Sequence, residues 1–193
     1  MIDEERILDA ALDVIAERGY VAATTRRIAE AAGVNEVTLF RRFGNKQQLL
    51  MAAAAREARQ ASVAEIEYTG HLEADLLRVV EFYHELMEKR ARTVIMLLSE
   101  LPRQPELRDA MNTPIGIIET VTDLLQRYQE DGALQPETPI TSFYALVGPI
   151  YLEAAAGLAL EPKDRNGAGS AWASARIDPA DHVRRFLAGR RRE

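Results

Sequence analysis

Residues 24–46 read TTRRIAEAAGVNEVTLFRRFGNK, and this stretch decides the fold of the N-terminal part of the chain. It predicts two short helices joined by a turn at Gly33, because glycine readily takes the left-handed backbone conformation that ends a helix. Thr24 or Thr25 can cap the first helix and Asn35 the second, since their side-chain oxygens accept from the free amides of a first helical turn. Two short helices around a glycine-containing turn are the layout of a helix-turn-helix.

The second predicted helix, which we expect to end near Phe43, has one face that suits the major groove of DNA. When Leu39 is directed into a core, the turn of about 100° per residue directs Val37 and Arg41 outward. Arginine can form two hydrogen bonds to guanine, and a small apolar side chain can contact the methyl group of thymine. The outward direction and its flanks are occupied by Glu36, Val37, Thr38, Phe40, Arg41 and Arg42.

Two charged residues lie at the edges of this face. Lys46 opens the next helix, where a positive charge beside free backbone amides suits a phosphate group. Glu36 has two interpretations that the sequence leaves open: its carboxylate can accept from the amino group of cytosine, or it can favour the positive N-terminus of its own helix. A plain helical hairpin with solvated arginines is the alternative for the whole segment, but the caps, the turn glycine and the basic outward face all agree with a helix-turn-helix.

The positive charge of the chain is concentrated in this segment. The chain has 193 residues, 24 of them basic and 30 acidic, and a net charge of −6. Residues 24–46 hold five basic residues against two acidic ones, a net charge of +3, so the rest of the chain sums to −9. Phosphates respond to charge within a Debye length of about 8–10 Å and not to the sum over a chain. An acidic protein can therefore bind DNA through this segment.

The segment resembles the DNA-binding head of TetR-family (tetracycline-repressor-like) regulators, without gaps from residue 24 to residue 46. The resemblance implies an all-α protein with an N-terminal three-helix helix-turn-helix DNA-binding domain, expected at residues 1–46. It also implies a C-terminal helical ligand-binding and dimerisation domain, expected at residues 47–193. The matching residues are Gly19, Thr24, Thr25, Ile28, Ala29, Ala32, Gly33, Val34, Thr38, Leu39, Phe40, Phe43 and Lys46.

The resemblance also implies roles for individual residues. Thr25 and Arg26 would lie at the N-terminus of the second helix of the domain and contact the DNA backbone or a base edge. Lys46 would hold a phosphate. Phe40 stands where the family commonly has tyrosine, so only apolar contact is expected there. The residues expected to face the groove are Glu36, Val37, Thr38, Arg41 and Arg42.

Apolar residues recur at helical spacing through the rest of the chain, which predicts further helices and an all-α fold. A kink is expected at Thr113-Pro114, and Gly132 and Thr138-Pro139 are expected to end one helix and begin the next. Residues 162–175 are small and polar and predict a loop. After the helix-turn-helix and a helix opened by Asn45, helices are expected over residues 72–90, 93–101, 106–130, 140–160 and 178–187.

The helix expected over residues 140–160 is apolar on nearly all sides. A surface helix keeps a polar face, so this one must be covered from both sides. The sequence therefore predicts a homodimer through this helix, and the resemblance implies an interface that also includes the C-terminal helix. The alternative is that it is the central core helix of a monomer.

A small-molecule pocket among the middle helices is implied by the resemblance. Apolar side chains on the inward faces of those helices are the candidates for its lining, and they would favour a hydrophobic or aromatic effector. Each of them can equally be ordinary core packing. The candidates are Phe82, Leu86, Met96, Met111, Ile118, Phe143, Val147 and Tyr151.

Several classes of protein are not expected. The chain has no cysteine and only three histidines, His71, His84 and His182, which are far apart in sequence. Glu81, His84 and Glu85 have ligand-like spacing on one helix, but such charges usually form a solvated face, so no metal site and no cofactor are expected. No catalytic motif is present, so an enzyme is not expected. An acidic N-terminus and the lack of a long uninterrupted apolar run predict a cytoplasmic protein without a membrane span.

These features predict a ligand-responsive transcriptional regulator, a repressor that binds a palindromic DNA operator as a dimer. A small hydrophobic effector would release it from DNA by favouring a state of lower operator affinity. The alternative is a small-molecule-binding all-α protein without specific DNA binding.

Overall fold

A computed structural model describes residues 4–60, 66–105, 107–110, 112–159 and 176–192 of the chain. Within these ranges every regular element is a helix, and one isolated bridge pairs Leu134 with Arg191. The all-α fold class is therefore confirmed. The loop expected at residues 162–175 lies outside the described residues.

The described part of the chain forms helices at the following positions. They are α1 (Glu4–Arg18), α2 (Thr25–Ala32), α3 (Glu36–Phe43), α4 (Lys46–Gln60), α5 (Leu72–Glu100), α6 (Leu107–Ala110), α7 (Asn112–Glu130), α8 (Pro139–Ala159) and α9 (Pro179–Ala188).

The chain divides into two compact units. The first contains Met1–Gln60 and Arg92–Gly116, and the second contains Ala61–Ala91 and Ile117–Glu193. The first unit extends beyond the 1–46 segment expected for the DNA-binding domain. It does so because α4 and the C-terminal part of α5 share a core with the first three helices.

The core of the first unit joins α1 to the helix-turn-helix. Its side chains come from α1 to α4 and from the segment around α6, and the most deeply buried are fully inaccessible to solvent. Burial of one such aliphatic side chain contributes about 1.5–3 kcal/mol. These side chains include Ile7, Ile15, Ile28, Leu39, Leu49 and Leu107.

A buried carboxylate organises part of the second unit. Asp75 on α5 is fully buried and accepts hydrogen bonds from the Thr69 amide at 2.8 Å and the Thr69 hydroxyl at 2.6 Å. The Tyr128 hydroxyl on α7 and the Arg78 guanidinium also donate to it. Burial alone would raise the pKa of Asp75, but these bonds outweigh it and hold the pKa below the ordinary value of 3.8.

One predicted helix boundary is absent from the structure. The prediction of separate helices over 72–90 and 93–101 is wrong, because α5 is continuous over 29 residues. Residues 90–93 contain no glycine or proline, so nothing in the backbone chemistry interrupts the helix there.

The kink predicted at Thr113-Pro114 stays a prediction. Helix is present on both sides of residue 111, in α6 and in α7, and residues 106 and 111 lie outside the described residues.

The other predicted boundaries of the second unit are confirmed. Gly132 follows α7 with a positive φ of 76°, and α8 begins at Pro139. The side chain of Asp178 caps α9 by accepting from the Asp181 amide at 2.7 Å. Each of these boundaries depends on the chemistry of one or two neighbouring residues.

The helix α8 is apolar, and the part of the chain that the structure describes covers only some of it. It is the one described helix long and apolar enough to cross a membrane by length and composition, and 28% of its most apolar stretch is buried. The core helix of a soluble protein passes the same test. Its exposed large apolar side chains, Tyr144, Leu152 and Leu158, leave an open apolar surface on the chain.

Candidate nucleic-acid interface

The helix α2 begins and ends as its sequence predicts. The Thr24 side chain caps it by accepting from the Arg27 amide, and Gly33 ends it in the left-handed conformation with φ 66°. Arg6 on α1 donates to the Ala32 carbonyl at 3.0 Å, so a free carbonyl at the end of α2 is satisfied by a side chain. A Cβ at position 33 would lie 3.1 Å from that guanidinium. The turn is therefore restricted both by its φ angle and by the contact with α1.

The helix α3 has the orientation predicted for a recognition helix. Asn35 caps it by accepting from the Val37 amide at 2.8 Å. Leu39 is fully buried, whereas Val37 is 72% exposed and Phe40 46% exposed. Arg41 is exposed as well. The inward direction of Leu39 and the outward direction of Val37 and Arg41 are confirmed, while contact with DNA stays a prediction.

The arginines of residues 24–46 differ in their hydrogen-bond partners. Arg42 donates to one oxygen of Glu4 on α1, from Nε at 3.1 Å and from Nη2 at 2.5 Å. Arg26 forms an exposed pair with Glu30 on the same helix at 3.0 Å. The Arg41 guanidinium has no such partner among the residues that the structure describes. Arg41 is therefore the arginine of α3 that can reach a base without first breaking an ion pair.

The first residues of α2 and α3 are joined by a side-chain hydrogen bond. The Thr25 hydroxyl donates to Oε1 of Glu36 at 2.6 Å, and both side chains are half-buried. Thr38, also expected to face the groove, is half-buried too. The bond fixes the direction of the Glu36 carboxylate beside the exposed face of α3.

Lys46 is held at the start of α4. Its ammonium donates to the Tyr20 carbonyl at 2.8 Å and lies 3.8 Å from the centre of the Tyr20 ring. Asn45 caps α4 by accepting from the Gln48 amide at 2.8 Å, which confirms the predicted cap. The Lys46 ammonium is thus held at the N-terminus of α4 by its contacts with Tyr20. Its role as a phosphate ligand stays a prediction.

A buried arginine that the sequence analysis did not single out ties α4 to α1. Arg56 is 6% exposed, and its guanidinium donates to Asp9 and Glu57 at 2.6 Å each and to the Glu5 carbonyl at 3.0 Å. Burial lowers the pKa of Arg56, but its bonds to the two carboxylates outweigh this and raise it. Its sequence neighbours give no signal of this role, because Asp9 lies 47 residues away.

Part of the expected effector pocket is an aromatic cluster in the second unit. Tyr83, which the sequence analysis did not single out, lies with its ring centre 5.0 Å from that of Phe82, 5.8 Å from that of Phe143 and 6.1 Å from that of Tyr151. Burial raises the pKa of Tyr83 and raises that of Tyr151 to about 12. The cluster therefore combines apolar rings with two hydroxyls that stay protonated at neutral pH.

The remaining candidates for the pocket do not all join this cluster. Met96 packs against the core of the first unit, because α5 continues into that unit. Val147 is fully buried, and Leu86 and Ile118 are half-buried. Met111 lies outside the described residues. A cleft of 570 Å³ in the second unit is lined by Tyr68, Tyr128 and Arg191 among others, and by none of the eight expected residues.

Two of the three histidines lie close to polar groups of the protein. Nδ1 of His84 lies 3.9 Å from Glu88 on the surface of α5, and a ring nitrogen of His182 on α9 lies 2.7 Å from the Leu146 carbonyl on α8. Among the described residues no group of three potential metal ligands comes together.

An all-α fold with a capped helix-turn-helix and an outward face of basic and apolar side chains on its second helix defines a DNA-binding protein. Residues 7–53 match the family model of bacterial regulatory proteins of the tetR family. The chain is 32% identical over 133 residues to the uncharacterized HTH-type transcriptional regulator YvkB of Bacillus subtilis, covering 68% of this chain and 70% of that protein. The chain therefore belongs to the TetR family and is a helix-turn-helix transcriptional regulator.

One further relative agrees with this assignment, and one solved structure shares the fold. The chain is 29% identical over 153 residues to the HTH-type transcriptional repressor AcnR of Corynebacterium efficiens, covering 77% of this chain and 75% of that protein. The structure of the fatty acid degradation regulator FadR from Bacillus halodurans has the same fold. Its TM-score is 0.68 over 97% of this chain and 99% of that chain, at 22% identity.

Proposed function

We propose that the protein is a repressor that binds a palindromic operator as a homodimer and leaves it when a small hydrophobic effector binds. The observation that carries the proposal is the division of α3 into two faces. Leu39 and Phe43 are buried on one side, while Val37 and Arg41 project from the other. Such a regulator acts on chromosomal DNA, so we place it in the cytoplasm.

The contacts with DNA are assigned by charge and direction. Val37 and Arg41 would contact base edges, with Arg41 on a guanine and the Val37 methyl groups on a thymine. Glu36, Thr38 and Arg42 would lie beside Val37 and Arg41 on the same face. Arg42 would leave its ion pair with Glu4 and contact DNA instead. Phe40 would make apolar contact only. Residues that hold phosphates carry no sequence information but fix the register, and we assign this role to Arg26, to Lys46 and to the backbone amide of Thr25 at the start of α2.

The dimer is proposed through α8 and α9. Tyr144 and Leu152 are 65% and 67% exposed and lie eight residues apart on α8, so they share one face of the helix. Gly148 lies midway between them, and a Cβ there would meet nothing within 4 Å. A second copy can therefore approach closely along this stripe. A two-fold dimer would set its two α3 helices about 34–36 Å apart, one turn of B-form DNA.

The effector is proposed to bind at the aromatic cluster around Tyr83. The rings of Phe82, Phe143 and Tyr151 offer apolar contact, and the hydroxyls of Tyr83 and Tyr151 offer hydrogen bonds that orient a ligand. A ligand that binds more tightly to a state with low operator affinity shifts the population toward that state. No direct contact between effector and DNA is needed.

The test is a titration of purified protein against DNA fragments from around its own gene, at several salt concentrations. We expect one fragment with a palindromic site to bind far more tightly than random DNA, with affinity that falls steeply as salt rises. Equal binding to all fragments would contradict the proposal and favour a small-molecule-binding protein without specific DNA recognition.

A further inference from the structure

The carboxylate of Glu36 is held in place by a hydrogen bond to only one of its two oxygens. Its Oε1 accepts from the Thr25 hydroxyl at 2.6 Å. Its Oε2 has no partner among the residues that the structure describes and is not among their buried unpartnered atoms. One oxygen is thus anchored to α2, and the other stays open to solvent.

The open oxygen belongs to the exposed side of α3. Glu36 is the first residue of this helix, and its neighbour Val37 is 72% exposed. Phe40, one helical turn after Glu36, is 46% exposed. If α3 lies in a major groove with Val37 and Arg41 toward the base edges, Glu36 lies in the groove as well, at the edge of the same face of the helix.

A carboxylate at that place discriminates among bases because it only accepts hydrogen bonds. Cytosine offers its N4 amino group as a donor in the major groove, whereas thymine offers the acceptor O4 and guanine the acceptors N7 and O6. Adenine offers one donor beside an acceptor. Since the anchored side chain cannot turn away freely, an acceptor opposite it leaves a desolvated charge without a partner.

We propose that Glu36, anchored by Thr25, is a specificity residue that selects a cytosine in each operator half-site. This inference rests on the proposed function, since it concerns the sequence that the same interface reads. Thr25 acts as a positioning residue: it directs the carboxylate and does not itself choose the base.

The alternative is that the pair only braces α2 against α3. The variant Glu36→Gln separates the two roles. The glutamine carbonyl still accepts from Thr25 and keeps the brace, but the open end of the side chain is now an NH2 group, which donates to the acceptors of guanine, thymine or adenine and finds only a donor on cytosine. A brace without base contact predicts no change in the preferred sequence.

The experiment is selection of binding sites from a random DNA library by the full-length protein and its variants. We expect the wild type to enrich a palindrome with a cytosine at one position of each half-site, preferred by about tenfold or more over other bases. Glu36→Gln should exchange that cytosine for bases that present an acceptor and leave the other positions unchanged.

Variants of the anchor and a charge control complete the test. Thr25→Val keeps the shape but loses the hydroxyl, so the preference for cytosine should fall severalfold at that position, while Thr25→Ser should keep it. Glu30→Gln removes an equal charge from the exposed surface of α2 and should leave the preferred sequence unchanged.

The outcomes separate this inference from the proposed function. If the wild type enriches no sequence, the proposed function fails. If it enriches a palindrome and Glu36→Gln enriches the same one, the protein reads DNA as proposed but Glu36 is only a brace, and the inference is overturned.

Discussion

The helix caps of the first unit and the polar network of the second unit form over different distances in sequence. In the first unit, Thr24, Asn35 and Asn45 each cap a helix by accepting from an amide two or three residues later. In the second, Asp75 accepts from Tyr128, 53 residues away, and Arg190 donates to Glu137, also 53 residues away. Short-range bonds therefore fix where the helices of the helix-turn-helix begin, while long-range bonds join Asp75 and Glu137 to distant parts of the second unit.

The exposed faces of α3 and α8 differ in the chemistry of their side chains. The face of α3 mixes arginine with isolated apolar side chains, as suits the charged and partly apolar surface of a DNA groove. The face of α8 presents Tyr144 and Leu152 without a charge between them, as suits another protein surface. One chain thus carries two exposed faces of different chemistry, and each can be disrupted separately.

The largest expected effect is on the α8 face. Leu152→Glu places a charge in the proposed dimer interface and should give monomers at micromolar concentration in light scattering. Operator affinity should then fall roughly 10²–10⁴-fold, because linked binding to two half-sites is lost. Leu98→Glu changes an exposed leucine of the first unit, 47% exposed, and is the matched control. A Leu152→Glu protein that remains a dimer would contradict the assignment of α8.

The next effect is on the polar centre of the second unit. Asp75→Asn removes the buried charge from Arg78, Thr69 and Tyr128 and should lower the free energy of unfolding by about 3 kcal/mol, measured by urea denaturation. An unchanged denaturation midpoint would show that the network does not stabilise the unit.

The same carboxylate predicts a pH dependence. Its pKa is lowered in the folded protein, so its contribution to stability is fully present above the ordinary pKa of 3.8 and is lost as the pH falls below that value and through the lowered pKa. The stability difference between wild type and Asp75→Asn should therefore be constant near neutral pH and shrink below about pH 4. A difference that grows in acid would have the wrong sign for this account.

A smaller effect is expected on the α3 face. Arg41→Ala should cost about 1–3 kcal/mol of operator binding per half-site and relax the preference for the base that Arg41 contacts. Fluorescence titrations on the operator and on variants of it at that base measure both effects. Unchanged discrimination would show that Arg41 does not face the groove.

Two variants act as controls for the loss of charge. Lys46→Ala removes the same charge from the start of α4, so it should weaken binding to all sequences alike and reduce the salt slope by about one unit. Arg108→Ala, on the exposed surface of α6, should change neither discrimination nor slope by a comparable amount.

The smallest effect is expected when the cap of α2, a short-range bond, is removed, and it can be compared with the loss of the long-range bonds of Asp75. Thr24→Ala removes the cap of α2 and should cost about 1 kcal/mol of stability, less than Asp75→Asn. Hydrogen exchange of the α2 amides should rise locally, while exchange in α7 stays as in the wild type. Equal losses from the two variants would remove the distinction between the units.

The sequence predicted those features that depend on neighbouring residues. The caps at Thr24 and Asn35, the turn at Gly33 and the inward direction of Leu39 each follow from a few adjacent side chains. The break predicted within α5 was wrong, because residues 90–93 contain no glycine or proline that would interrupt the backbone.

Pairs distant in sequence could not be predicted. Nothing near Arg56 indicates its bond to Asp9, and nothing near Thr25 indicates Glu36, because each pair forms only once separate helices have packed. The aromatic cluster was found in part for the same reason. Phe82, Phe143 and Tyr151 were recognised as apolar positions, but Tyr83, which links them, was not.

We expect two copies of α3 to enter major grooves one turn apart, and methylation interference on the selected operator can show which grooves they occupy. Methylation at guanine N7 alters the major groove, and methylation at adenine N3 alters the minor groove. We expect interference from N7 in two clusters about 10 base pairs apart, and loss of the guanine signal that Arg41 contacts when Arg41→Ala is used. Interference confined to adenine N3, or a single cluster, would contradict the account.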